Sequence, residues 1–172
     1  FENWTQNLMF DWCISRQRFF GVPFPLWYPL NNEGNPDYEN PIIASLDSLP
    51  IDPSLDVPSG YTSEQRDKPE GFTAEQDVFD TWFTSSLTPQ IGARWIVDEE
   101  RYKNLFPMDI RPQSHEIIRT WAFYTIAKAS LHENCVPWKD VLISGWVLDP
   151  DRKKMSKSKG NVVTPVEFLD RY

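Results

Sequence analysis

Val141-Leu142-Ile143-Ser144-Gly145-Trp146-Val147-Leu148 runs straight into Asp149-Pro150-Asp151-Arg152-Lys153-Lys154-Met155-Ser156-Lys157-Ser158-Lys159-Gly160-Asn161. The first run is rich in β-branched and aromatic residues and predicts a strand, which Asp149-Pro150-Asp151 stops with a turn. Upstream, Met108 to Arg111 predicts a short strand ended by Pro112. Residues 114–132 then predict a helix capped by Ser114, with Ile117, Trp121, Tyr124 and Lys128 sharing one face. Thr164-Pro165 predicts a last helix, with Glu167 three residues after Thr164 as in a capping box. Strand, helix, strand, loop, helix is the order of a right-handed βαβ unit with a parallel sheet, hence an α/β fold. Ligands of such sheets sit beyond the carboxyl ends of the strands, so chemistry is expected at the loop after Leu148.

That loop is chemically unlike the rest of the chain. Arg152, Lys153, Lys154, Lys157 and Lys159 fall within ten residues of a protein whose net charge is −8 and whose pI is near 4.7. Ser156, Ser158 and Gly160 keep the segment pliable. Charges on a pliable loop suit a triphosphate, whose chemistry is mostly positioning and charge stabilisation. Composition alone also fits a solvated basic turn.

Earlier residues are less regular. Phe24 to Leu30 predicts a short edge strand among prolines, and residues 31–76, rich in Asn, Asp, Pro, Ser and Gly, predict a loop-rich surface subregion. Asp77 is expected to cap a helix that gains Asp80 at its positive end and closes at Pro89. At 40% hydrophobic and 15% aromatic residues the chain has ample material for a core. No apolar run is long enough for a membrane helix, and no signal-peptide pattern opens the sequence, so a soluble, cytoplasmic protein is the simplest class. The acidic balance argues against the chain gripping RNA by itself, and against DNA binding. Cys13 and Cys135 are isolated, with His115 and His132 as the only histidines, so neither zinc nor a disulfide is expected. The missing initiator methionine and the short final helix suggest a fragment of a longer chain.

Lys154-Met155-Ser156-Lys157-Ser158 resembles the KMSKS signature of the class I aminoacyl-tRNA synthetases, and Gly145 to Asp149 resembles the strand leading into it. Asp11-Trp12-Cys13-Ile14-Ser15-Arg16-Gln17-Arg18, Gly21-Val22-Pro23-Phe24-Pro25 and Asp77-Val78-Phe79-Asp80-Thr81-Trp82-Phe83-Thr84-Ser85-Ser86 resemble further stretches of the valine, isoleucine and leucine members. The resemblance implies the second half of a Rossmann-like nucleotide-binding domain, with a parallel sheet and flanking helices. It divides the chain into a junction after an editing domain with the first strand region (1–30), the insertion (31–76), and the catalytic half-domain with its KMSKS loop (77–172). An H-I-G-H-like motif, which the family carries on its first half, is not found in the sequence. The editing domain is expected upstream of Phe1.

Asp109-Ile110-Arg111-Pro112-Gln113-Ser114-His115-Glu116-Ile117-Ile118-Arg119-Thr120-Trp121-Ala122-Phe123-Tyr124 is similar to the archaeal-type valine branch. The implied activity is ATP-dependent activation of valine, with ATP taken as its Mg2+ complex, and transfer to tRNA(Val). Isoleucyl- or leucyl-type enzymes, another nucleotidylyl transferase, or a non-catalytic module that kept the fold remain alternatives. By the resemblance Lys154 and Lys157 stabilise the leaving pyrophosphate, with Met155, Ser156 and Ser158 in the same ATP loop and Gly145, Trp146 and Val147 against the adenosine. Trp82, Ile117 and Trp121 would wall the valine side chain; at helical spacing they equally suit plain core packing. Gln113 and Glu116 would face the ribose or the ammonium group. Arg16 and Arg18 fit either an RNA contact or a structural tie.

Overall fold

The computed structural model describes residues 1–9 and 11–170, apart from the side chains of Glu167 and Phe168. Two compact units divide it. One joins Phe1–Gln6 to Pro89–Tyr172, and the other is Asn7–Thr88. Helix α1 (Glu2–Gln6) opens the first. Phe1 lies 6.2 Å, ring to ring, from Phe123, and the Arg119 guanidinium sits 5.6 Å above the Trp4 ring.

In the Asn7–Thr88 unit, β1 (Ser15–Arg16), β2 (Leu26–Pro29), β3 (Ile42–Ile43), β4 (Phe72–Ala74) and β5 (Val78–Phe79) form two small antiparallel sheets. The expected edge strand is instead the centre of β3-β2-β4, pairing Trp27 with Ile42 on one side and with Ala74 on the other. Proline does not prevent this, because Pro23 and Pro25 precede the strand and Pro29 stands at its last position. The subregion 31–76 is loop-rich as expected, yet it has a core. Buried Trp27, Phe72 and Ala74 gather Ile42, Ala44, Ile51, Val57 and Tyr61. The Trp27 indole N–H donates to Pro53 O at 3.0 Å and Asp56 O at 3.2 Å. Arg66 donates to the same two carbonyls while lying 5.0 Å over the Phe72 ring. Apolar burial and satisfied carbonyls together stiffen an otherwise irregular chain.

The helix expected from Asp77 begins four residues later, as α2 (Thr81–Ser85). Val78 and Phe79 are drawn into pairing with Arg16 and Ser15, so the cap passes to Asp80. Asp80 Oδ1 accepts from the Trp82 N–H at 3.0 Å, and Oδ2 accepts from the Trp12 indole at 3.0 Å and the Arg16 guanidinium at 2.6 Å. Arg16 thus serves as a tie within this unit. Asp80→Ala is expected to lower the stability of this unit by about 2–3 kcal/mol, summing a lost cap, an orphaned indole and the ion pair of a buried carboxylate with a partly exposed guanidinium. Thermal denaturation of Asp80→Ala beside Asp80→Asn measures it; an unchanged midpoint for the alanine variant would refute the role.

Pro89 lies inside α3 (Thr88–Gly92) rather than closing a helix, since a first turn has no use for its missing N–H. Helix α4 (Glu99–Leu105) follows, capped by Asp98. Strand β6 (Met108–Ser114) runs through Pro112 to Ser114. Proline withdraws one donor there but keeps its carbonyl, and β6 has a strand partner on one side only among the described residues. A 3-10 turn (His115–Ile117), a π turn (Ile118–Ala122) and α5 (Phe123–Glu133) form the predicted helix, with Ser114 as its cap. The π turn rotates the face, so the buried line is Trp121, Thr125 and Ala129, while Tyr124 and Lys128 are half-buried.

Strand β7 (Trp138–Ser144) pairs parallel with β6 in register from Met108↔Trp138 to Ser114↔Ser144. It starts and stops before the predicted Val141–Leu148, leaving Gly145 to Val147 as its exit. The strand–helix–strand order with a parallel pair is present in a mixed α/β chain of small sheets. A wide Rossmann-like sheet is not seen among the described residues. Helix α6 (Pro165–Leu169) starts where Thr164-Pro165 predicts; the capping contact expected of Glu167 lies outside the described residues.

Candidate functional site at the exit of the parallel strands

The register brings the ends of β6 and β7 side by side, with Ser114 opposite Ser144. From β6 the chain turns into His115–Ile117; from β7 it passes Gly145, Trp146 and Val147 to the basic loop. Two contacts tie these exits: His115 Nδ1 lies 3.3 Å from Ser144 O, and its ring lies 5.0 Å from that of Trp146. A Cβ placed on Gly145 would meet no atom within 4 Å, so open space adjoins the backbone there.

The basic loop is folded on itself by two residues that sequence reasoning missed. A bridge pairs Leu148 with Lys154. Within it Asp149 Oδ1 accepts from the Lys153 N–H at 2.7 Å, and Asp149 Oδ2 accepts from the Asn161 amide at 2.8 Å. The Lys153 N–H is the main reason the Asp149 carboxyl is held below its ordinary range. Asn161 also donates to Lys154 O at 3.2 Å and accepts from the Ser156 N–H at 3.0 Å. The Asp-Pro-Asp turn and the Gly160-Asn161 pair were the available signals, since both residue types bond their own backbone readily. Ser156 and Ser158 hydroxyls meet at 2.7 Å, and the Val163 N–H reaches Met155 Sδ at 3.3 Å. Lys157–Lys159 form a 3-10 turn that Gly160 ends at φ +65°, a conformation suited to glycine.

The two central lysines differ. Lys154 Nζ is hydrogen-bonded to Glu116 Oε1 and sits 4.6 Å over the Trp146 ring. Glu116 is held below the usual carboxylate range, first by Lys154 and further by a hydrogen bond from Trp146. Lys157 is exposed and has no ion-pair partner among the described residues. An exposed ammonium without a counter-ion is available to an arriving anion.

The remaining candidates are spread out. Gln113, 6% exposed, has both amide atoms unpartnered. Trp121 is 4% exposed, with the Arg111 guanidinium 3.8 Å over its ring and Trp138 stacked at 5.6 Å. That is the packing of a core side chain, and burial lowers the pKa of Arg111. Ile117 is half-buried. Trp82 is 39% exposed on α2 and belongs to the other unit. Among the described residues no group of three or more His, Cys, Asp or Glu is placed to hold a metal ion, and no helix is long and apolar enough to cross a membrane.

Over residues 1–172 the chain matches the family described as tRNA synthetases class I (I, L, M and V). It is 59% identical to the valine--tRNA ligase of Salinispora tropica and 58% identical to that of Thermobifida fusca, in both cases over the whole of this chain and 20% of the relative. Against the valine--tRNA ligase of Bifidobacterium longum the identity is 60%, over 19% of that protein. The chain therefore spans about a fifth of the length of these curated relatives. A solved structure, the ternary complex of Agrobacterium radiobacter K84 agnB2 LeuRS with tRNA and LeuAMS, resembles it with a TM-score of 0.68 at 19% identity. The likeness covers 99% of this chain and 25% of that one. At that identity it speaks to the fold.

Proposed function

Since the chain belongs to the class I tRNA synthetases (I, L, M and V), we propose that it is the part of a cytoplasmic valine–tRNA ligase that activates valine with ATP, ahead of transfer to tRNA(Val). The observation that carries the reading is the basic loop at the exit of the parallel strands, with Lys157 free and Lys154 beside Glu116 and Trp146. The 58–60% identity to valine--tRNA ligases supports the choice of amino acid. The archaeal-type affinity of residues 109–124 stays part of the proposal.

In this reading the valine carboxylate attacks the α-phosphorus of Mg2+-bound ATP. The new bond joins carboxylate oxygen to phosphorus, and the bond to the β-phosphate oxygen breaks, releasing pyrophosphate. No base is required, because the carboxylate is already ionised at neutral pH. Lys157 and Lys154 meet the charge on the departing pyrophosphate, with the Met155, Ser156 and Ser158 backbone shaping the loop. Gly145, Trp146 and Val147 face the adenosine, and the open space beside Gly145 supports that. Gln113 faces the ribose or the ammonium group; its buried, unpartnered amide supports a polar ligand there. Ile117 and Trp121 line the valine side chain, Trp121 offering an edge because its face is covered.

Residues 1–30 act as the junction after an editing domain, 31–76 as a zinc-free insertion stiffened by its own core, and 77–172 as the catalytic half-domain. The test is ATP–pyrophosphate exchange by the complete polypeptide with valine, isoleucine or leucine. Valine is expected to be preferred over isoleucine by roughly 10- to 200-fold in kcat/KM, the range a pocket gains from one methylene; this range is the general rule for such enzymes. Preference for isoleucine or leucine would overturn the amino-acid assignment, and no exchange with any of them would mark a non-catalytic module.

A further inference from the structure

Lys154 and Glu116 come from opposite strand exits, 38 residues apart, and meet only because β6 and β7 run parallel in register. Glu116 stands in the first turn after β6, its carboxylate accepting from the Lys154 ammonium, which lies over the Trp146 ring. Trp146 is thus shared: its ring underlies Lys154 Nζ and its edge touches His115. The pair is half-exposed, 49% for the lysine side chain and 40% for the glutamate. A pair in that setting biases a loop without locking it, since water competes for both charges. Lys157, on the same loop, has no such counter-ion among the described residues.

We infer that Glu116 is a positioning residue for the basic loop: without nucleotide its carboxylate holds Lys154 against Trp146, and a triphosphate must take Lys154 from it. The inference rests on the proposed function for the identity of the triphosphate, and on geometry alone for the clasp. It gives Glu116 a partner within the chain beside the ribose or ammonium contact that the resemblance implies. Two charges then serve different stages: Lys157 is ready at once, and Lys154 is released only by competition.

The complete polypeptide carrying Glu116→Gln tests it. The KM for ATP is expected to fall about two- to five-fold, the range of an exposed ion pair. In a Lys154→Met background the same substitution is expected to leave the KM for ATP unmoved. A second arm needs no chemistry: trypsin cleavage within 152–159 of the nucleotide-free protein should quicken in Glu116→Gln. A raised KM for valine with ATP unaffected would overturn the inference by putting Glu116 on the amino acid. Unchanged cleavage would overturn it equally. Absence of exchange in the unsubstituted protein would instead defeat the proposed function, and the cleavage arm would still decide the clasp.

Discussion

Lys157→Ala in the complete polypeptide is expected to slow valine-dependent ATP–pyrophosphate exchange on the order of a hundredfold, with valine affinity nearly unchanged. A charge aimed at the leaving pyrophosphate gains most of its interaction in the transition state, so its loss lowers kcat rather than raising the KM for valine. The exposed, uncompensated ammonium is what permits this role. Lys157→Arg should recover part of the rate, because charge is kept while geometry is not. An exchange rate that survives Lys157→Ala, with a raised KM for valine, would move this lysine to the amino-acid pocket.

The second large effect concerns the chain taken alone. Residues 1–172 by themselves are expected to show no measurable valine-dependent exchange, whereas the proposed function expects it of the polypeptide that contains them. The chain spans about a fifth of its curated relatives, and the proposed reaction depends on positioning the triphosphate with more than one loop. Good positioning supplies on the order of 7–11 kcal/mol of catalysis, enough to hide the reaction when lost. Parallel strands are normally covered on both faces, yet Ile110, Val141, Leu142 and Ile143 are exposed here. Isolated, that surface favours self-association, which size-exclusion chromatography reads alongside the exchange assay. Exchange from residues 1–172 near that of the complete polypeptide would mean they hold a full active site.

What the sequence disclosed depended on the range of the forces involved. The helix after Ser114, the β6–helix–β7 order and the position of the last helix were legible, because cap chemistry and periodicity act over a few residues. Asp80 took the cap from Asp77 because Val78 and Phe79 pair with residues over sixty positions away. No local pattern announces that. The core of 31–76 likewise joins Trp27 to carbonyls near residue 55, behind a composition that reads as loop. Resemblance picked out the basic loop, and Asp149 and Asn161, which give it its shape, needed coordinates. The same holds for Glu116, whose partner lies across the strand pair. Trp121 kept its expected helix but spends its face on Arg111 and Trp138, one from each parallel strand, which residue spacing in the helix does not signal.

The internal hydrogen bonds of the basic loop carry a thermodynamic consequence. Asp149 and Asn161 bind Lys153, Lys154 and Ser156 into one folded piece before any anion arrives. Ordering a free chain would cost about 1–2 kcal/mol of backbone entropy per residue, and here folding of the protein has already absorbed it. An incoming triphosphate therefore meets a preshaped flap. What it must still order is the lysine side chains that reach it.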